Sequence, residues 1–366
     1  MSHQSINMVA PPEVYRRRRA KLAESLTRPL LILAGRGRPR NYVTNPHPFR
    51  AGSNYLYFGG PPVEGAAWVI EPGGDGQKGC TLLRRPDEFE ETVWTGGSPS
   101  DDALAAAAGI PVASLRDPED LTALLGGRPA AAVCPPCLLS IDWIRSLKIP
   151  SPNQEELRAI VRLRLIKDEH EMIALRRAAK IAVDAHTAAM EATRPERGEA
   201  HVAAAILSVY TTYQSAPSFT PIVTVHGEVL HCESYPRTLH EGDLLVVDAG
   251  AEEPGGYASD ITRTYPVSGE FTPIQRHIYD TVLRAEREAI AACIPGKRFR
   301  DIHDLAGRVI CEGLIEADLL KGDPAELAAR FAHTLFFTHG LGHLVGLDVH
   351  DMEDFGDLAG YASGRT

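Results

Sequence analysis

No run of ~18 apolar residues, the minimum for a membrane-spanning helix, occurs in the sequence. The first residues, Met1 to Tyr15, also lack the apolar core of an export signal. Cysteine is sparse, with six in 366 residues, at positions 80, 134, 137, 232, 293 and 311. That scatter is not the framework of a small disulfide-stapled domain. Positive charge is in deficit, the formal net charge being −10. A general nucleic-acid binder is therefore excluded, because phosphate contact needs clustered Lys and Arg. Apolar residues are not depleted: 44 % hydrophobic and 23 % charged content rules against disorder and coiled coil. The expectation is a soluble cytoplasmic globular protein long enough for two domains.

Three local features have bland readings. The basic run Arg16–Arg19, with Lys21, sits where Leu22 and Leu26 supply an apolar side at helical spacing, so it reads as the wet face of a helix. Cys134-Pro-Pro-Cys137 has C-x-x-C spacing but no second such pair for zinc, so it reads as reduced structural thiols. Gly73-Gly-Asp-Gly76 lacks the G-x-G-x-x-G pattern and reads as a hairpin turn.

The first half alternates short apolar runs with helical stretches. Strands are expected at Pro29–Leu33, Ala66–Ile70, from Thr81, and at Ala130–Cys134, with a helix over Asp101–Ala108 capped by Asp101. This is an α/β layer domain. A charged connecting helix, with Glu155, Glu156, Arg158, Arg162, Arg164 and Lys167 as its solvated residues, should start near Gln154. The division is placed at residue 160, giving an N-terminal domain over 1–160 and a second over 161–366. The second half reads as α+β. Helices are expected over 168–191, 199–213, 274–293 and from about Phe299 to Gly313. The strands Leu244–Gly250 and Asp260–Pro266 are joined through a turn at Gly255-Gly256.

The chemistry concentrates in that second half. Asp248 follows the apolar run Leu244-Leu-Val-Val, and Asp260 opens the partner strand. Two carboxylates in an apolar hairpin repel, so one is neutral or both hold a cation. A turn cap and a strand start are the alternative reading. Histidines tip the balance. His339-Gly-Leu-Gly-His343 carries two imidazoles four residues apart, separated by glycines that argue against a regular helix. Gly340 stands where an H-E-x-x-H motif would need glutamate. His350 follows in Leu347-Asp-Val-His350-Asp351, and His231 lies just upstream of the Asp248 strand.

Taken together, Val247-Asp248-Ala-Gly250, Tyr257-Ala-Ser-Asp260-Ile-Thr-Arg-Thr264 and His339-Gly-Leu-Gly-His343 through His350-Asp351 resemble the dinuclear-metal pita-bread peptidases. Aminopeptidase P is the nearest pattern, and prolidase the next. Tyr15-Arg-Arg-Arg-Arg-Ala, Ser53-Asn-Tyr-Leu-Tyr-Phe-Gly59 and Arg164-Leu-Ile-Lys-Asp-Glu-His170 extend the resemblance to that family's N-terminal domain and connecting helix. The resemblance implies an α/β N-terminal domain and an α+β pita-bread domain. It implies Asp248, Asp260 and His343 as metal ligands, with His231, His339 and His350 lining the site to bind substrate and move protons. It implies manganese as the usual metal, peptides with proline at the second position as substrates, and a homo-oligomer.

The implied reaction has a physical rationale. A peptide bond before proline is a tertiary amide without an N–H, so readers of an extended backbone lose a contact there. Two metal ions roughly 3.5–4 Å apart can share a water, lower its pKa and polarise the scissile carbonyl. In one respect the sequence departs from the pattern. The family also uses glutamates from later strands, in V-E-P-G-like and R-I-E-like segments, whereas this sequence stops at Tyr361–Thr366 with neither. The acids after His343, namely Asp348, Asp351, Glu353, Asp354 and Asp357, sit in no matching motif. On that reading the pita-bread domain is C-terminally truncated and the chain is inactive as it stands. A prolidase and a non-catalytic scaffold that retains the fold are the alternatives.

Overall fold

In the computed structural model, residues 6–42 and 44–360 are described. Five short strands build the first sheet: β1 (Leu30–Leu33), β2 (Ala67–Ile70), β3 (Cys80–Leu83), β4 (Leu115–Arg116) and β5 (Ala131–Val133). Their order is β4-β3-β2-β1-β5, with β1/β2 and β2/β3 antiparallel and the outer pairs parallel. The sequences LLIL and AWVI are apolar at every position because both faces of their sheet are covered, and all eight residues are buried. Gly73 and Gly76, both with positive φ, lie in the β2–β3 turn, as the glycine cluster predicts. Ser100, not Asp101, caps the 101–108 helix, its hydroxyl accepting from the Ala103 N–H at 3.3 Å.

The basic run forms a wet face only in part: Arg17 and Lys21 are exposed. Arg18 and Arg19 are buried on the helix Pro12–Ala23, and Arg19 is 0 % exposed. The Arg19 guanidinium donates to the carbonyls of Phe58, Gly76 and Ala108 at 2.7–2.9 Å and lies 4.4 Å over the Trp68 ring. Periodicity sees an apolar stripe; it does not see loop carbonyls elsewhere in the chain that can satisfy a cation.

The connecting helix Gln154–Leu165 opens on an Asn153–Glu156 capping box. It is only partly solvated: Glu156 and Arg164 are buried, while Glu155, Arg158 and Arg162 form exposed pairs. The long helix Glu169–Ala192 follows, with its own Asp168–Glu171 box, and packs against the helix Glu199–Thr212. Both lie over a three-stranded sheet of order β10-β8-β7, made from β7 (Ile222–Thr224), β8 (Leu244–Ala249) and β10 (Ile261–Pro266). A small second pair, β6 (Ala216–Pro217) and β9 (Ala251–Glu252), flanks it. Along β8 burial alternates: Leu245, Val247 and Ala249 pack into the helices, and Val246 and Asp248 stand on the opposite face. The helices Pro273–Ala292 and Phe299–Glu316 pair beyond β10, which completes the α+β pattern read from sequence.

Candidate active site

The site grows from the β8–β10 hairpin. Thr262 pairs with Asp248 and Ile261 with Ala249, so Asp260 lies just before β10, opposite Gly250. That offset makes Asp248 and Asp260 diagonal neighbours on one face, within reach of each other although not directly opposed. Gly250 permits the approach of the chains, since a Cβ there would stand 1.8 Å from the Ser259 carbonyl oxygen. The helix behind contributes His186, whose Nε2 donates to the Ile261 carbonyl at 2.8 Å and tethers the hairpin. Burial lowers the pKa of this ring and keeps it neutral.

Asp248 is poorly satisfied. Its Oδ1 is buried and has no hydrogen-bond partner among the described residues. Burial first, and then the negative charge of Asp260, push its carboxyl up to about 6, while Thr262 and His231 act in the opposite direction. A carboxylate in that condition is either neutral or waiting for a positive charge.

His343 meets this pair from a different part of the chain. Its Nε2 lies 3.1 Å from Asp260 Oδ2, and its Nδ1 lies 2.9 Å from the Leu344 carbonyl. The carbonyl requires a proton on Nδ1, so in the neutral ring the Nε2 lone pair points toward the carboxylates, the tautomer a metal ligand uses. In metal-free protein the Asp260 contact favours the protonated ring and raises its pKa. His350 stacks on His343 with centroids 3.8 Å apart and planes at 19°.

The six residues singled out in the sequence are unevenly gathered. Asp248, Asp260, His343 and His350 converge, and His231 is exposed but close enough to influence Asp248. His339 faces elsewhere: its Nδ1 lies 2.8 Å from the Gly340 carbonyl and its ring packs edge-on to Phe337 at 4.9 Å. Among the described residues no three His, Cys, Asp or Glu side chains close into a ready cation cage. The donor set nevertheless fits a hard divalent ion: two adjacent carboxylates, one with an orphaned oxygen, and an imidazole nitrogen turned toward them.

Sequence reasoning missed the support of this site. Asp351 is 1 % exposed and holds the loop that carries both stacked rings. Arg164 Nη2 donates to Asp351 Oδ1 at 2.6 Å and Lys167 Nζ to Asp351 Oδ2 at 2.8 Å. The charge pattern of the connecting helix assigned both cations to solvent. The available signals were the adjacency of Asp351 to His350 and the place of Arg164 and Lys167 in the Arg164–His170 motif.

Fold and site together define a metallopeptidase with a separate N-terminal α/β domain. The model of metallopeptidase family M24 matches residues 173–365, and that of the aminopeptidase P N-terminal domain matches residues 15–130. The chain is 32 % identical over 362 residues to the Xaa-Pro aminopeptidase of Escherichia coli K12, covering 93 % of this chain and 82 % of that protein. It is also 32 % identical over 345 residues to Xaa-Pro aminopeptidase 1 of Streptomyces coelicolor, covering 88 % of this chain and 68 % of that protein. The solved structure of proline aminopeptidase P II from Yersinia pestis aligns with a TM-score of 0.84 at 28 % identity, covering 93 % of this chain and 83 % of that one. Pseudomonas aeruginosa aminopeptidase PepP aligns with a TM-score of 0.82 at 28 % identity, covering 95 % and 82 %. The chain belongs to metallopeptidase family M24, with the pita-bread catalytic domain and N-terminal domain of aminopeptidase P.

Proposed function

We propose that this chain is a metal-dependent Xaa-Pro aminopeptidase that releases an N-terminal residue preceding proline. The contact that carries the reading is His343 Nε2 against Asp260 Oδ2 at 3.1 Å, with the frustrated Asp248 carboxyl beside it. Asp248, Asp260 and His343 would hold divalent metal, and manganese suits the carboxylate-rich donor set. When bound, such ions supply water acidification and polarisation of the scissile carbonyl.

The chain's own groups do the rest. Asp248 and Asp260 present the negative charge, and the Leu344 carbonyl fixes the His343 tautomer. His231 and His350 would hold or move protons near the scissile bond, and His339 would join them in substrate contact only on turning away from Phe337. The tertiary Xaa-Pro amide has no N–H to offer, so recognition rests on the proline ring and the free N-terminal amine. We place the domain division at residues 160/161, inside the connecting helix. No helix of the described residues is long and apolar enough to cross a membrane. Six free cysteines, with Cys80 and Cys311 buried, favour a reducing cytoplasm. Exposed Trp94 and Phe89, at 85 % and 84 %, favour a homo-oligomer.

The test is a purified chain loaded with manganese and offered Xaa-Pro-Yaa and Xaa-Ala-Yaa peptides. Release of Xaa from the first only is the expected result. Cleavage confined to Xaa-Pro dipeptides would make the chain a prolidase. Stoichiometric metal with no cleavage of any of these peptides would overturn the assignment.

A further inference from the structure

The site's imidazoles sit on a loop with little regular structure, so something outside the loop must set their pitch. Residues 344–351 form no helix or strand. Their internal ties are few: the Asp351 N–H donates to the Leu344 carbonyl at 3.0 Å, and Gly346 N–H to the Asp348 carbonyl at 3.0 Å. The dominant fixings come from far away in sequence. Arg164 reaches Asp351 at 2.6 Å, Asp348 at 3.1 Å and the Asn54 side chain at 2.6 Å. Lys167 spans the Arg164 carbonyl at 2.6 Å and Asp351 at 2.8 Å. The Ser53 hydroxyl donates to Asp348 at 2.5 Å, and Arg50 donates to the carbonyls of Leu347 and Gly256.

Asp351 is the closed centre of this array. Each carboxylate oxygen has its own cation, and the group is 1 % exposed. Burial opposes its ionisation, and Arg164 and Lys167 outweigh burial, holding its carboxyl below the usual range. Gly346 is required beside it, since a Cβ there would stand 2.4 Å from Asp351 Oδ2. The covalent neighbour of this clamped residue is His350, which stacks on His343, which in turn touches Asp260. An ion cluster spanning the N-terminal domain, the connecting helix and the catalytic loop therefore ends one residue from the stacked rings.

We propose that Asp351, clamped by Arg164 and Lys167, is a positioning residue that sets the orientation of the stacked His343–His350 pair toward Asp260. The clamp acts through the loop backbone and touches neither substrate nor the carboxylates. Removing its charge leaves the hairpin carboxylates in place and frees the rings to turn. The value of the His343 ligand as a metal donor rests on the assignment above; the orientation of the two rings does not.

The experiment uses the full chain, first without metal. Two rings stacked at 3.8 Å shift each other's proton resonances upfield, and His343→Gln and His350→Gln variants assign those signals. In Asp351→Asn both shifts are expected to collapse toward free-histidine values, with a circular dichroism spectrum like the parent's. Lys167→Met, which keeps the Arg164 arm, should give a partial collapse and serves if Asp351→Asn does not fold. Glu156→Gln, which breaks the half-buried ion pair to Arg28, is the control for general loosening and should leave both signals unmoved. Cobalt titration then reads the visible d–d band: Asp351→Asn should weaken Co²⁺ binding about ten-fold, the scale for losing a partner behind a ligand. Parent-like ring shifts in both folded clamp variants overturn the proposal, as does an equal collapse in Glu156→Gln. If the parent binds no Co²⁺, the metal assignment fails and the ring shifts still decide the clamp.

Discussion

Arg19 and Asp248 are both charged side chains placed in apolar surroundings, and the protein treats them oppositely. Arg19 is fully enclosed, and its guanidinium is met by three backbone carbonyls and an indole face. Burial with no facing carboxylate pulls its pKa down to about 10, yet it remains charged at neutral pH. Asp248 is less enclosed but worse supplied. One oxygen is orphaned, and the charge that acts on it most strongly is another carboxylate. The first arrangement is complete and reads as structure. The second lacks a positive charge, and the unmet demand is what points to a cation and hence to chemistry.

The largest expected effect falls on the incomplete side. Asp260→Ala removes the group that contacts both Asp248 and His343, and should abolish metal-dependent release of Xaa from Xaa-Pro-Yaa peptides. Near-normal turnover at unchanged metal content would break the contrast. Arg19→Met tests the complete side. It leaves three buried carbonyls without donors and should cost about 3–5 kcal/mol of stability. That loss is measured by urea unfolding, and a change below ~1 kcal/mol would show that the three carbonyls do not depend on Arg19.

Asp248→Asn should act with the reverse sign on the metal-free chain. Burial and the Asp260 charge push the folded carboxyl up to about 6, above the ordinary aspartate value of 3.8. A raised carboxyl pKa means its stabilising contribution is complete below pH ~4 and is lost as pH rises through ~6. The wild-type chain without metal should therefore lose roughly 2–3 kcal/mol across that window. The Asn variant should escape most of this loss and melt higher at pH 7, while losing activity. Parallel melting curves at pH 4.5 and 7.5 decide the point, and an Asn variant less stable at both would refute the frustration argument. The smallest effect is expected at a satisfied surface-proximal pair. Glu156→Gln breaks the charged, two-pronged Arg28 contact at 2.8 and 2.9 Å, while its amide oxygen can still accept from the Asn153 N–H in the capping box. It should lower stability by about 1–2 kcal/mol without changing metal affinity.

The same contrast explains what could be read in advance. The β8–β10 hairpin was legible because four apolar residues before Asp248 and a Gly-Gly turn are local signals. The helix capped by Asn153 and Glu156 and the one capped by Asp168 and Glu171 were legible for the same reason. Arg18, Arg19, Arg164 and Lys167 are misread as solvated because the partners that bury them lie from 39 to 187 residues away. No periodicity within a helix reports on a carbonyl or carboxylate at that distance. His186 went unnoticed for the same reason, its acceptor being 75 residues downstream.

By itself the sequence determined the elements and the donor types: a hairpin bearing two carboxylates, a glycine-spaced pair of histidines, and an acidic chain without a membrane-spanning run. Side-chain alternation and capping are short-range, and a dozen residues suffice to specify them. Only the tertiary structure decided that His343 and His350 meet Asp260 while His339 turns to Phe337. It alone made Asp351 a buried hub and Arg19 a core residue. Those outcomes depend on which desolvated charges find partners across the fold, and that is settled when distant segments pack together.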